Sequence, residues 1–127
     1  MEVRHLGVVE YREALALQER LRGELQRGEG GEVLLLLEHP PVYTLGRRSE
    51  PGDLAMGRDW YLSQGIDVVE TDRGGKLTYH GPGQLVGYPI MRIHDVVAYL
   101  RTMEEAIVAA LAAQFLAALR KRLEWWN

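Results

Sequence analysis

The stretch from Arg73 to Pro89 limits what this 127-residue chain can fold into more than any other part of it. Gly74, Gly75, Gly81, Gly83 and Gly87 are interleaved there with Pro82, Pro89, His80, Gln84, Tyr79 and Tyr88. Neither a regular helix nor a regular strand uses such a mixture. Glycine permits positive φ and close approach to the main chain, while proline fixes φ and removes a donor. The segment therefore reads as two tight turns, at Gly74-Gly75 and at Gly81-Pro82-Gly83, flanking short extended pieces.

The flanking chain alternates strand and helix signals. Residues 3–9 read as a first strand, and Tyr11 to Arg27 as an amphipathic helix, because Ala14, Leu17, Leu21 and Leu25 recur on one side. Gly28 to Gly31 ends that helix. Val33 to Leu37 is a continuous apolar run, the pattern of a strand buried on both faces in the middle of a sheet. Glu38-His39-Pro40-Pro41 breaks it, Val42 to Leu45 is strand-like, and Gly46-Arg47-Arg48 is a turn that projects two positive charges. A polar loop over 49–57 and a short helix from Arg58 to Gln64 follow, with Gly65 as a left-handed terminator. Ile66 to Thr71 reads as a strand running into a hairpin whose turn is Arg73-Gly74-Gly75 and whose return strand is Leu77 to Tyr79.

Beyond Pro89, Asp95 is placed to cap a helix carrying the stripe Val96, Leu100, Met103, Ile107 and Leu111, continued by Phe115, Leu119 and Leu123. Each four-residue step advances about 40° past a full turn, so the stripe drifts across the helix. Ala106 to Leu119 is also apolar nearly all round. That pattern implies burial on every side or two helices joined near Ala112-Ala113. Arg120, Lys121 and Arg122 suit a helix C-terminus, and Trp125 and Trp126 are expected to pack locally or against a partner.

Composition removes several classes. Net charge is −3, which argues against nucleic acid as a partner, since phosphate binding asks for a basic face. The chain has no cysteine, hence no disulfide and no thiolate. All but Lys76 and Lys121 of its 15 basic residues are arginine, leaving lysine chemistry little room. The N-terminus lacks an apolar signal-type run, and the apolar run Ala106 to Ala113 is far shorter than the roughly 20 residues that cross a bilayer. The expectation is a cytoplasmic protein with no membrane partner.

Four ligand readings compete at the central stretch with the plain one of structural turns. It lacks the spacing of a phosphate-binding P-loop, and Gly81 to Gly87 is one residue too long for a dinucleotide fingerprint. His5, His39, His80 and His94 lack the close spacing of metal ligands, so no metal is expected. The reading left is a small-substrate pocket lined by the two glycine turns, with His80, Tyr79, Arg73 and Gln84 as polar groups. His80 could orient a carbonyl or phosphate, and Arg73 could pair bidentately with an anion.

The run from Arg73 to Pro89 resembles the signature of the octanoyltransferases of lipoate biosynthesis, also called lipoate-protein ligase B. Glu38-His39-Pro40-Pro41-Val42-Tyr43-Thr44-Leu45-Gly46-Arg47 resembles a second segment of that family, in the same order. The resemblance extends from about residue 5 to residue 112. It implies an α/β (α+β) fold like that of the biotin and lipoate ligases and class II synthetases, with an antiparallel-rich mixed sheet backed by helices. It further implies transfer of an octanoyl group from acyl carrier protein to a lysine of lipoyl domains, those of 2-oxoacid dehydrogenases and of the glycine-cleavage H protein. No cofactor is implied. The positions matching the family's substrate-binding run are Arg73, Gly74, Gly75, Lys76, Leu77, Thr78, Tyr79 and His80.

The chain departs from that family in one respect. Its members form an acyl thioester on a cysteine activated by a lysine, both downstream of the helix that begins near Asp95, and neither has a counterpart here. The expectation is an incomplete fold without catalytic residues. Residues 1–112 form the N-terminal part of the domain, and residues 113–127 a substitute terminus or a last helix joined by deletion. The alternatives to an active transferase are a catalytically silent acyl- or lipoyl-domain-binding module, and an oligomer interface built on Trp125 and Trp126.

Overall fold

The computed structural model describes residues 1–124, with the side chains of residues 122–124 excepted; Trp125 and Trp126 lie outside the described residues. The chain forms two compact units, Met1–Met91 and Arg92 onward.

In the first unit, β1 (Glu2–Val8) leads through Val9 and Glu10 into α1 (Tyr11–Arg27). The Glu10 side chain caps α1 by accepting from the Glu13 amide, and Gly28, at φ 73°, closes its other end. The strands β2 (Val33–Glu38), β3 (Val42–Leu45), β4 (Asp67–Glu70), β5 (Leu77–His80) and β6 (Val86–Ile90) follow, with α2 (Arg58–Ser63) between β3 and β4. They make two three-stranded sheets, ordered β1-β2-β6 and β4-β3-β5. Each has a parallel pair on one side of its central strand and an antiparallel pair on the other.

α1 covers one face of the first sheet. Ala14, Leu21 and Leu25 pack against Val33, Leu35, Leu37 and Ile90, with Leu6, Leu17, Val86 and Tyr88 at the margin. Val33, Leu35 and Leu37 are buried while Leu34 and Leu36 are half-buried. The unbroken apolar run of β2 thus reflects a central strand as expected, but one covered fully on a single face. Gly87 faces Leu34 and Leu36 on the other side, where a side chain would meet only ordinary van der Waals neighbours.

The second sheet differs from the sequence expectation in its pairing. β4 and β5 do not form a hairpin; β3 lies between them, parallel to β4 and antiparallel to β5. The Arg73-Gly74-Gly75 turn therefore spans a strand instead of closing on its neighbour. β6 was also not expected as a strand. Its pairing with β2 holds Gly87 and Pro89 in a strand, although local propensity disfavours both residues there.

The second unit contains α3 (Val96–Glu124). Asp95 caps it as expected, its carboxylate accepting from the Ala98 amide at 3.1 Å. The helix runs without interruption through Ala112 and Ala113, so the drift of the apolar stripe is not resolved by a break. Nor is it resolved by burial, because Leu100, Ile107, Leu111, Phe115 and Leu119 are all exposed. Within α3, Val96–Lys121 is long and apolar enough to cross a bilayer by length and composition, with mean hydropathy 1.5. The uninterrupted apolar run Ala106 to Ala113 is only a part of that stretch.

Candidate functional site

The turn between β4 and β5 is fastened to the end of β3. The amides of Gly46, Arg47 and Arg48 donate to the carbonyls of Lys76, Arg73 and Gly75 at 2.8, 3.0 and 3.0 Å. Such close contact of two backbones requires glycine. A Cβ on Gly46 would collide with the Gly75 carbonyl oxygen and lie 2.9 Å from its carbon, while Gly75 itself sits at φ 86°.

Arg73 completes the fastening. Its Nη2 donates to the Thr44 carbonyl at 2.7 Å, to Thr44 Oγ1 at 2.8 Å and to the Lys76 carbonyl at 3.0 Å. Nε reaches Thr44 Oγ1 at 3.3 Å and Nη1 the Gly74 carbonyl at 2.9 Å. Every guanidinium nitrogen is engaged within the protein. The side chain therefore braces the turn and does not offer the open fork that bidentate anion pairing would use. Lys76 is likewise directed to local partners, with Nζ 3.4 Å from Glu50 and 3.9 Å from Asp53.

Strand alternation then divides the rest of the run. Pairing of Tyr43 with Tyr79 and of Leu45 with Leu77 puts these four on one face of the second sheet. There the Tyr43 ring meets Tyr79 at 5.1 Å and Tyr61 of α2 at 5.3 Å. Thr78 and His80 belong to the other face, with Val42 and Thr44. The eight positions from Arg73 to His80 are thus contiguous in sequence, but their side chains do not converge on one place. Gln84 is exposed, its amide closing the second turn onto the Gly81 carbonyl at 3.2 Å.

His80 is where several elements meet. Its ring stacks on Tyr11, the first residue of α1, with centroids 6.3 Å apart and planes 19° apart. It also meets the edge of His39, in the segment between β2 and β3, at 5.7 Å. His39 is completely buried, with Nδ1 2.8 Å from the Val9 carbonyl and Nε2 2.7 Å from the Tyr88 hydroxyl of β6. Tyr11, His39, His80 and Tyr88 therefore form one cluster drawn from both sheets and from α1. Nearby, Arg12 pairs with Asp67 of β4, tying the start of α1 to the second sheet.

The electrostatics of the cluster favour neutral groups. Burial is the main cause that pulls His80 below the ordinary histidine value, helped by His39 and by the positive charge of Arg73. Burial also pushes the Tyr88 phenol up to about 12, with Tyr11 adding to the effect, and it raises Tyr11. A neutral imidazole stacked on the protonated Tyr11 phenol can accept a proton or a hydrogen bond at neutral pH. Among the described residues no group of three or more His, Asp or Glu side chains is placed to hold a metal ion.

Sequence reasoning found His80 but not its neighbours Tyr11, His39 and Tyr88 as site residues. Tyr11 reads only as the start of a helix and His39 only as part of a break. The available signal for Tyr88 was its alternation with Val86 and Ile90, which puts it on the inward face once β6 is recognised as a strand.

Comparison with known proteins agrees with this architecture. Residues 10–122 match the lipoyl protein ligase A/B catalytic domain, and the chain belongs to that family. It is 48% identical over 116 residues to an octanoyltransferase of Syntrophotalea carbinolica, spanning 88% of this chain and 52% of that protein. It is 50% identical over 110 residues to an octanoyltransferase of Nocardia farcinica, spanning 84% and 41%. The chain thus spans about half the length of the curated relatives it matches. Among solved structures, a lipoate-protein ligase A bound with ATP superposes with a TM-score of 0.70 at 25% identity, over 90% of this chain and 47% of that one. A lipoate-protein ligase from Thermoplasma acidophilum shares the fold with a TM-score of 0.60 at 21% identity, covering 89% of this chain and 46% of that one.

Proposed function

We propose that the chain is the substrate-binding part of an octanoyltransferase of lipoate biosynthesis, acting on octanoyl-acyl carrier protein and on the target lysine of lipoyl domains. The observation that carries this reading is the near-50% identity to octanoyltransferases across most of the chain. In this reading residues 1–112 are the N-terminal part of the transferase domain, and 113–127 are a substitute terminus or a segment joined by deletion. The lipoyl domains of 2-oxoacid dehydrogenases and the glycine-cleavage H protein are the acceptors, and the cytoplasm is the compartment.

The run from Arg73 to His80 divides its labour in this function. Arg73, Gly74, Gly75 and Lys76 hold a flat turn against which an acyl chain can lie, because glycine presents backbone without side chains. Leu77 and Tyr79 contribute apolar surface on one sheet face. Thr78 and His80 supply polar groups on the other, where neutral His80 orients the thioester head.

The second reading is a silent acyl- or lipoyl-domain-binding module. One experiment separates the two. The purified chain is incubated with octanoyl-acyl carrier protein and a lipoyl domain, and the lipoyl domain is weighed by mass spectrometry. Gain of one octanoyl group supports the transferase. Binding of octanoyl-acyl carrier protein without that gain supports the module, and the absence of both removes the acyl assignment.

A further inference from the structure

His39 has the geometry of a group whose tautomer is dictated by its surroundings. The Val9 carbonyl 2.8 Å from Nδ1 can only accept, so Nδ1 must carry the hydrogen. A neutral imidazole has a single N–H, which leaves Nε2 as a bare lone pair facing the Tyr88 hydroxyl at 2.7 Å. Tyr88 must then donate. The ring has no rotational freedom to escape this arrangement, being fully buried and in contact with Tyr11 at 5.2 Å, Tyr88 at 5.8 Å and His80 at 5.7 Å.

We propose that His39 is a positioning residue of the site: fixed as the Nδ1–H tautomer, it commits the Tyr88 proton inward, leaves the phenol oxygen as a pure acceptor, and sets the orientation of His80 with its ring edge. These groups come from four places, the segment after β1, the segment after β2, the end of β5 and the middle of β6. A carbonyl anchor on one nitrogen and a ligand-facing partner on the other is the arrangement by which proteins commonly fix histidine polarity.

This inference rests on the octanoyl-binding reading only for the identity of the ligand, and the experiment keeps the two apart. The full chain, labelled with nitrogen-15 at histidine, is examined by long-range proton–nitrogen correlation at mildly alkaline pH, where imidazoles are neutral. The expected pattern at His39 is a protonated Nδ1 and an unprotonated, hydrogen-bonded Nε2; a protonated Nε2 overturns the proposal. Tyr88→Phe should move the His39 Nε2 resonance toward that of an unbonded nitrogen while leaving Nδ1 in place. An unmoved Nε2 would mean that the pair does not exist.

Binding of octanoyl-acyl carrier protein supplies the second arm. His39→Asn, which keeps a donor for Val9 but cannot reach Tyr88, and Tyr88→Phe should each weaken it by about tenfold, the worth of one hydrogen bond. The double variant should lose no more than either single one, since both break the same link. Losses that multiply overturn the coupling. An unmodified chain that does not bind octanoyl-acyl carrier protein sinks the functional reading, and the nitrogen spectra still decide the tautomer.

Discussion

Arg73 spends its guanidinium on Thr44: one nitrogen, Nη2, lies 2.7 Å from the Thr44 carbonyl and 2.8 Å from its hydroxyl, both of which are shielded from water. Hydrogen bonds from a charged donor are worth about 1.5–3 kcal/mol each, and a buried acceptor left unpaired costs a similar amount. Arg73→Lys, which cannot span Nε, Nη1 and Nη2 at once, should lower stability by about 2–3 kcal/mol in chemical denaturation. A loss below about 0.5 kcal/mol would show that the brace is not needed.

Two glycines of neighbouring loops should respond oppositely to a methyl group. Gly46→Ala drives a Cβ into the Gly75 carbonyl and should cost about 1–3 kcal/mol, the range for overpacking. Gly74→Ala has no neighbour within reach and no positive φ, so its effect should stay within about 0.5 kcal/mol. Thermal melts of the two variants side by side make the comparison, and equal shifts would contradict the close approach.

The core prediction concerns Leu35, which is wholly buried at the centre of the first sheet beneath α1. Leu35→Ala should cost about 2–5 kcal/mol, while Leu34→Ala, on the half-buried face, should cost clearly less. Denaturant midpoints for the pair test whether α1 covers one face only.

His80 and Tyr88 give opposite pH signatures. The folded state lowers the affinity of His80 for protons, so between the ordinary histidine value of about 6.5 and its own lower value the unfolded chain binds more protons. Its contribution is fully present above pH 6.5 or so and is lost as pH falls through the folded value. His80→Gln should flatten that part of the stability curve. Tyr88 holds its proton more tightly when folded, with a value of about 12 against about 10 when free. Its contribution is present below pH 10 or so and fades as pH rises toward 12. Ultraviolet titration of phenolate in the native chain, compared with Tyr88→Phe, should remove one late-ionising tyrosine.

Several parts of the fold were legible because they depend on local chemistry. The four-residue spacing of Leu17, Leu21 and Leu25, with Ala14 one turn earlier on the same side, and the terminator Gly28 define α1, and the structure bounds it at Tyr11–Arg27. Asp95 announces the start of α3 in the same way. The Arg73 to Pro89 signature, with its companion around His39, pointed to the lipoate ligase family that residues 10–122 match. Within the candidate site only His80 was legible, since its glycine-flanked position marks it without reference to anything distant.

Strand partnership and side-chain convergence were decided by tertiary structure. Nothing local to residues 66–80 says that β3 will insert between β4 and β5, because pairing is settled by contacts about thirty residues away along the chain, such as Thr44 with Arg73. The same holds for the cluster of Tyr11, His39, His80 and Tyr88, whose members come from separate elements and are each unremarkable in their own sequence context. The sequence by itself determined α1, the start of α3 and the family, because these follow from propensity, capping and motif. Only the packing of two sheets around the start of α1 decided that Arg73 would brace a turn and that His39 would hold Tyr88, because hydrogen-bond partners are chosen by distance in space.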